Sequence, residues 1–115
     1  MNAETCYRGD VWLVNFHPGR GSEQKGIRPA LIIQNDVGNV YAATTIIAAI
    51  TTTLKKYPVT VLLERREGGL KKPSMINLAQ ILTVDKGRLI KKLGNIGNGK
   101  LREVDEAIAV SLGLV

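Results

Sequence analysis

Apolar positions in this chain fall into short runs separated by polar, glycine-bearing stretches, which is the pattern of strands joined by turns. VWLVNF (11–16) is the first run, and it ends at His17-Pro18 and a glycine-rich stretch from Gly19 to Gly26. PALIIQ (29–34) predicts a second strand, NDVGN (35–39) a turn, and TTIIAAI (44–50) a third strand buried on both faces. After the polar TTTLKKYP (51–58), VTVLLE (59–64) alternates as a fourth strand, and RREGGLKKP (65–73) reads as a basic turn. SMINLAQILTV (74–84) supplies one long strand or two short ones.

The period changes towards the C-terminus. DKGRL (85–89) predicts a short helical turn before IKKLGNI, and the glycines at 97 and 99 punctuate the chain. Leu101, Val104, Ile108 and Leu112 then recur at spacings of three or four, predicting one amphipathic helix to about Leu112 with Asn98 as its N-cap. No repeat, low-complexity stretch or linker interrupts the pattern, so residues 1–115 are expected to form one domain. The expected architecture is mainly β with a C-terminal helix (α+β), a small barrel or curled sheet of mostly antiparallel strands covered by that helix.

Composition narrows the function. The apolar fraction is 44% with only 4% aromatics, so the core is expected to be aliphatic and rich in β-branched side chains. Sixteen Lys and Arg against ten Asp and Glu give a net charge of +6, which suits a polyanionic partner such as nucleic acid or a charged, solubilising surface. One cysteine, Cys6, and one histidine, His17, cannot assemble an internal disulfide or the usual zinc constellations, and no clustered acidic motif points to Mg²⁺. No cofactor or metal is therefore expected. No apolar run approaches membrane-spanning length and MNAETCYRGD lacks the apolar core of a signal peptide, so a soluble, cytoplasmic protein is expected. The RGD triplet (8–10) reads as the turn before the first strand.

The densest chemistry lies in GSEQKGIRP (21–29), where a carboxylate, an amide and a guanidinium fall within a few residues of two glycines. A permanent positive charge held by a strand beside such a loop is what a phosphate-handling site requires. RGDVW (8–12), HPGRGSEQKGIRP (17–29), LIIQND (31–36), AAIT (48–51), TVDKGRL (83–89) and VDEAIAVSLGL (104–114) together resemble the MazF/PemK toxins of bacterial toxin-antitoxin systems. The likeness runs over nearly the whole chain in one order with one spacing, which no single motif achieves.

That resemblance implies a compact SH3-like, CcdB/MazF-like barrel, a homodimer, and a metal-independent endoribonuclease that cuts single-stranded mRNA and is neutralised by a MazE-like antitoxin. Metal-free cleavage uses the 2′-OH as nucleophile, so a site must remove its proton, protonate the 5′-oxygen and stabilise a doubly charged phosphorane-like transition state. Arg28, in the family's GxRP element, suits charge stabilisation because its fork matches phosphate oxygens and stays protonated. Thr51 matches the family's threonine and its hydroxyl can bond a phosphate oxygen or orient the 2′-OH. Glu23 is the nearby carboxylate able to serve as general base, or alternatively as a brace that orients Arg28. The resemblance further assigns RNA contacts to Ser22, Gln24, Asn35, Thr52, Thr53 and Gln80. His17, directly before Pro18 and without a partner histidine, reads as a turn residue.

The chain departs from the family at 77–82. Many relatives carry an acidic residue at the position of Ala79 and a basic one at that of Leu82, and some an arginine at that of Asn77. Here Asn77, Ala79 and Leu82 replace that charged set, while Gln80 remains to bond a base edge. Basic residues stand instead at Lys55, Lys56, Arg65, Arg66, Lys71 and Lys72, runs that are ordinarily solvated. Two rival readings follow from the same fold: a non-cleaving RNA-binding relative, favoured by those replacements, and a gyrase-binding toxin, whose members lack the GSEQxGxRP loop kept here.

Overall fold

Residues 5–16, 21 and 25–115 are described by a computed structural model. Its six strands are β1 (Asp10–Asn15), β2 (Ile27–Ile32), β3 (Thr44–Thr51), β4 (Thr60–Leu63), β5 (Ser74–Asp85) and β6 (Leu89–Asn95). Two helices, α1 (Asp36–Tyr41) and α2 (Asn98–Ser111), complete it. All strand pairs are antiparallel, in the order β4-β5-β3-β2-β1-β6, and α2 packs against β4 and β5. The antiparallel sheet with a C-terminal helix matches the architecture expected from the strand pattern.

Alternation of side chains splits the interior into two clusters on opposite faces of the sheet. Ala48 and Ile50 of β3 join Val11, Leu31, Leu63, Ile76 and Leu78 beneath Val104 and Ala107 of α2. Ile47 and Ala49 of the same strand join Trp12, Val14, Ala30 and Ile32 on the other face. TTIIAAI is thus buried on both faces, as its unbroken apolar run predicts. Each fully buried isoleucine or leucine here contributes roughly 2–3 kcal/mol relative to exposure.

Glycine lets the curled sheet meet itself. The β4–β5 connection makes a 3₁₀-type turn, Glu67–Gly69, which packs against β6 and β1 at the other end of the strand order. A Cβ on Gly69 would collide with the Leu93 carbonyl oxygen, and one on Gly94 would lie 2.7 Å from the Gly68 carbonyl carbon. Backbone therefore touches backbone at this closure, which no side chain can replace.

Two local expectations change, and the choice between one strand and two at 74–84 is decided. NDVGN is not a simple turn: Asn35 caps α1, its side chain accepting from Gly38 N at 2.8 Å. The helix is held by tertiary bonds, since Asn39, fully buried, donates to Gln34 O at 3.0 Å and accepts from Thr45 Oγ1 at 2.7 Å, while Lys86 Nζ donates to its carbonyl. Helix α2 begins at Asn98 itself after Gly97, without a side-chain cap, and ends before Leu112, which is 59% exposed. Its inward stripe is Leu101, Val104, Ala107 and Ile108. SMINLAQILTV is one strand, broken in register where Ala48 faces Ile81 and Ala49 faces Asn77. The extra residues form a bulge, which bends a strand without ending it.

Arg8, Gly9 and Asp10 form the turn expected before β1 and fasten the N-terminal segment. Arg8 donates through Nε to Ile33 O at 2.9 Å and through Nη2 to Asp105 of α2 at 2.6 Å. The buried Asp10 carboxylate accepts from Tyr7 N at 2.8 Å and pairs with Lys92. Cys6 lies in the second cluster, and burial pushes its thiol above its ordinary pKa, offset in part by its hydrogen bond with Thr45 and by the charge of Lys86. Because the native state keeps this proton longer than the unfolded chain, stability from this group falls as pH rises past about 8.5. Native protein at pH 7.5 is expected to resist alkylation, labelling only at the rate of unfolding; rapid stoichiometric labelling would show that the Cys6 segment opens locally.

Candidate active site

The ends of three neighbouring strands build the site. Ala30 of β2 faces Ala49 of β3, and the hydrogen-bonded ladder stops there, next to Pro29, which has no N–H to donate. Continuing that register puts Arg28 opposite Thr51, two residues further along each strand and on the same face as Ala30 and Ala49. Thr51 in turn faces Met75 of β5, Ala49 faces Asn77, and Asn77 faces Thr60 of β4. One sheet face therefore passes from apolar cluster to a polar strip of Arg28, Thr51, Asn77 and Thr60.

A cleft of about 180 Å³ opens over this strip, lined by Thr51, Thr53, Lys55, Tyr57, Thr60, Met75 and Asn77. The hydroxyl of Thr51 accepts from Thr53 N at 3.1 Å, which orients its oxygen and leaves its own proton to donate. Asn77 Oδ1 accepts from Ala79 N at 3.0 Å, so its amide group keeps two N–H donors. Thr60 Oγ1 accepts from Tyr57 N at 2.9 Å and lies 3.0 Å from Tyr57 O, pinning the segment that carries Tyr57. The Tyr57 ring is 53% exposed, whereas Phe16 is buried in the second cluster, so of these two aromatics Tyr57 offers a face for stacking.

Arg28 is exposed on β2, and its Nε donates to Lys25 O at 3.4 Å. Among the described residues no carboxylate pairs with its terminal nitrogens. The strand starts two residues earlier than its apolar run suggests, so Arg28 rises from sheet and not from loop. A guanidinium on a strand, a hydroxyl donor facing it and an amide beside them can surround a phosphate from several sides.

The sequence candidates separate by place. Thr51 and Thr53 line one cleft, with Thr52 exposed between them, and the continued β2–β3 register directs Arg28 to the same end of the sheet. Asn35 stands beyond the other end of β2, engaged as the cap of α1. Gln80 sits half-buried in the β5 bulge with bonding partners of its own. Ser22, Glu23, Gln24 and His17 lie outside the described residues. Thr60 and Met75 line the cleft without any sequence signal, because strand pairing alone brings them there. No group of three or more His, Cys, Asp or Glu able to hold a metal occurs among the described residues.

Comparison with known proteins shows the family. The family model "PemK-like, MazF-like toxin of type II toxin-antitoxin system" matches residues 7–112. The chain is 50% identical over 109 residues, 93% of its length and 91% of the relative's, to Endoribonuclease MazF of Staphylococcus saprophyticus. Among solved structures it is similar to MazF from Deinococcus radiodurans, with a TM-score of 0.83, 25% identity and coverage of 96% of this chain and 99% of that one. It is also similar to an endoribonuclease from a mycobacterial species in complex with its cognate antitoxin, with a TM-score of 0.81, 25% identity and coverage of 96% and 97%.

Proposed function

Because this chain belongs to the PemK-like, MazF-like toxin family of type II toxin-antitoxin systems, we propose that it cuts single-stranded mRNA at a short sequence, without a metal, by transesterification. The chain is a homologue of the MazF endoribonuclease toxins. The observation that supports the mechanism is the β2–β3 register, which continued beyond Ala30 and Ala49 directs Arg28 towards Thr51 of the polar cleft. In the proposed reaction the 2′-oxygen gives up its proton and attacks phosphorus, the bond from phosphorus to the 5′-oxygen breaks, that oxygen takes a proton from water, and the products are a 2′,3′-cyclic phosphate and a 5′-OH.

Arg28 offsets the charge that grows on the non-bridging oxygens, and Thr51 donates its hydroxyl proton to one of them or holds the 2′-OH in line. Arg28 keeps its proton throughout, so the 2′-OH proton goes elsewhere. Glu23 takes it as general base or instead braces Arg28. A base gives a pH profile that loses its acid limb in Glu23→Gln, whereas a brace keeps that limb at lower rate. Asn77 and the ring of Tyr57 suit reading and stacking of bases, as single-stranded RNA is usually recognised.

The wider assembly follows the same reading. Residues 1–115 act as one toxin domain in the cytoplasm, paired as a homodimer partly through the C-terminal segment, where Val110, Leu112, Leu114 and Val115 are exposed. No helix among the described residues is long and apolar enough to cross a membrane. An acidic antitoxin segment suits the net charge of +6 and neutralises the toxin by occupying the RNA groove. Incubating long mixed-sequence RNA with the protein in EDTA and mapping the ends tests the core of this reading. Discrete cuts with cyclic-phosphate ends are expected; salt-sensitive binding with the RNA left whole would replace it with the non-cleaving relative.

A further inference from the structure

A second basic feature, outside the active cleft, lies on the β4–β5 hairpin. A cleft of about 510 Å³ is lined there by Arg65, Arg66, Gly69, Leu70 and Lys71. Its three cations face no carboxylate in the lining, and none makes an ion pair with another described residue. Glu67, the nearest candidate to neutralise them, is turned away: its Oε1 accepts from Glu64 N at 2.6 Å and lies 3.7 Å from Lys100 Nζ.

Two further features show that the cleft is held in shape. Arg66 has φ of 77°, the only positive value at a non-glycine position among the described residues, and its N–H is tied to Leu70 O at 2.8 Å. A side chain in that conformation persists only where its surroundings hold it, and such positions cluster at ligand clamps. The floor, Gly69 and Leu70, is seated on β6 and the first core cluster, so the cations stand on a fixed base.

We propose that this cleft binds phosphates of the RNA strand flanking the cleavage site, an inference that rests on the endoribonuclease reading above. Position argues for it: Met75 faces Thr51, and Lys71 precedes Met75 by four residues, so their Cα atoms are at most about 14 Å apart. The hairpin that carries these charges starts at the end of β4 and β5 that lies beside Thr51, within reach of an RNA longer than the cleavage site itself. The lining argues against an acidic peptide, because its single large apolar side chain, Leu70, is only 9% exposed and leaves no pocket for an apolar anchor. Backbone contacts of this kind add affinity and salt dependence without adding sequence preference.

The test compares native protein with R65Q/R66G/K71Q on a long RNA and on an oligonucleotide of about six nucleotides spanning the same mapped cut. Glycine at 66 accepts the left-handed backbone, so the hairpin keeps its shape. The salt slope for long RNA is expected to fall by about two, at about 0.7 per lost contact, with KM raised about tenfold and kcat kept. The short substrate is expected to change less than about twofold in KM. R65Q alone, which leaves the strained position intact, is expected to lower the slope by about 0.7. An unchanged slope, or equal losses on both substrates, overturns the proposal; so does a variant whose RNA affinity holds while its affinity for polyglutamate drops. Failure of native protein to cut any RNA would instead sink the endoribonuclease reading, and the binding slope on uncut RNA would still judge the cleft.

Discussion

Replacing Arg28 with alanine is expected to lower kcat for RNA cleavage by about 10²- to 10³-fold while KM changes far less, because its charge acts mainly on the transition state. Lys55 also lines the cleft, but an ammonium lacks the guanidinium's fork and is not expected to replace it. Arg28→Lys keeps the charge and loses the two-pronged geometry, so only part of the rate should return. Arg28 is exposed and unpaired with any described carboxylate, so its removal should leave stability within about 0.5 kcal/mol of native. Single-turnover cleavage together with a thermal melt decides the matter. A variant that cuts within about threefold of native would remove Arg28 from the site, and a lower melting temperature in step with lost activity would make its role structural.

Gly69→Ala should have the largest effect on stability of any single methyl addition in the described chain. Its φ of 78° strains any L side chain, and the new Cβ would strike the Leu93 carbonyl oxygen in the backbone of β6. Strain and overpacking each cost about 1–3 kcal/mol, so a loss of about 3 kcal/mol or more is expected, a fall in Tm of more than about 10 °C. Gly113→Ala separates the two causes, since Gly113 has φ of 73° but nothing within 4 Å of its Cβ position. That variant should lose only about 1 kcal/mol. Equal losses in the two proteins would mean that the contact with β6 contributes nothing beyond backbone conformation.

How much of this was legible depended on whether a residue's fate is set nearby or far away in the chain. Strands β1, β3, β4 and β5 are apolar runs rich in β-branched residues, and the sequence pattern places them within a few residues. Helix α1 is different: NDVGNV has turn composition, and its six residues are too few to hold a helix unaided. What holds it is Asn39 bonded to Gln34 and Thr45, with Lys86 reaching its carbonyl from far down the chain. Asn98 looks like a cap because asparagine often is one, yet Gly97 already adopts the extended conformation a cap needs.

The site shows the same division. Arg28 and Thr51 stand out in the sequence through family likeness, but nothing local says that they face one another. That follows from the register of β2 on β3, and Thr60 and Asn77 enter through two further pairings. Sequence spacing cannot distinguish Asn35 from Arg28 as a neighbour of Thr51, since both stand just outside the apolar run ALII. Only pairing shows that one lies beside the cleft and the other at the far end, capping a helix.

The order in which the chain leaves the ribosome gives the outer pairing of β1 a consequence. β2 and β3, which present Arg28 and Thr51, belong to the first half of the chain, but the far edge of β1 is completed only by β6, with Asp10 paired to Asn95. Helix α2, which seals the first core cluster, comes later still. A nascent chain must therefore bring its beginning and its end together across some eighty residues before the sheet can close, among the slowest kinds of contact to form. Strands β1 to β5 of this MazF homologue therefore leave the ribosome before the strand that closes their sheet, and β1 waits with an open edge until residues 89–95 follow.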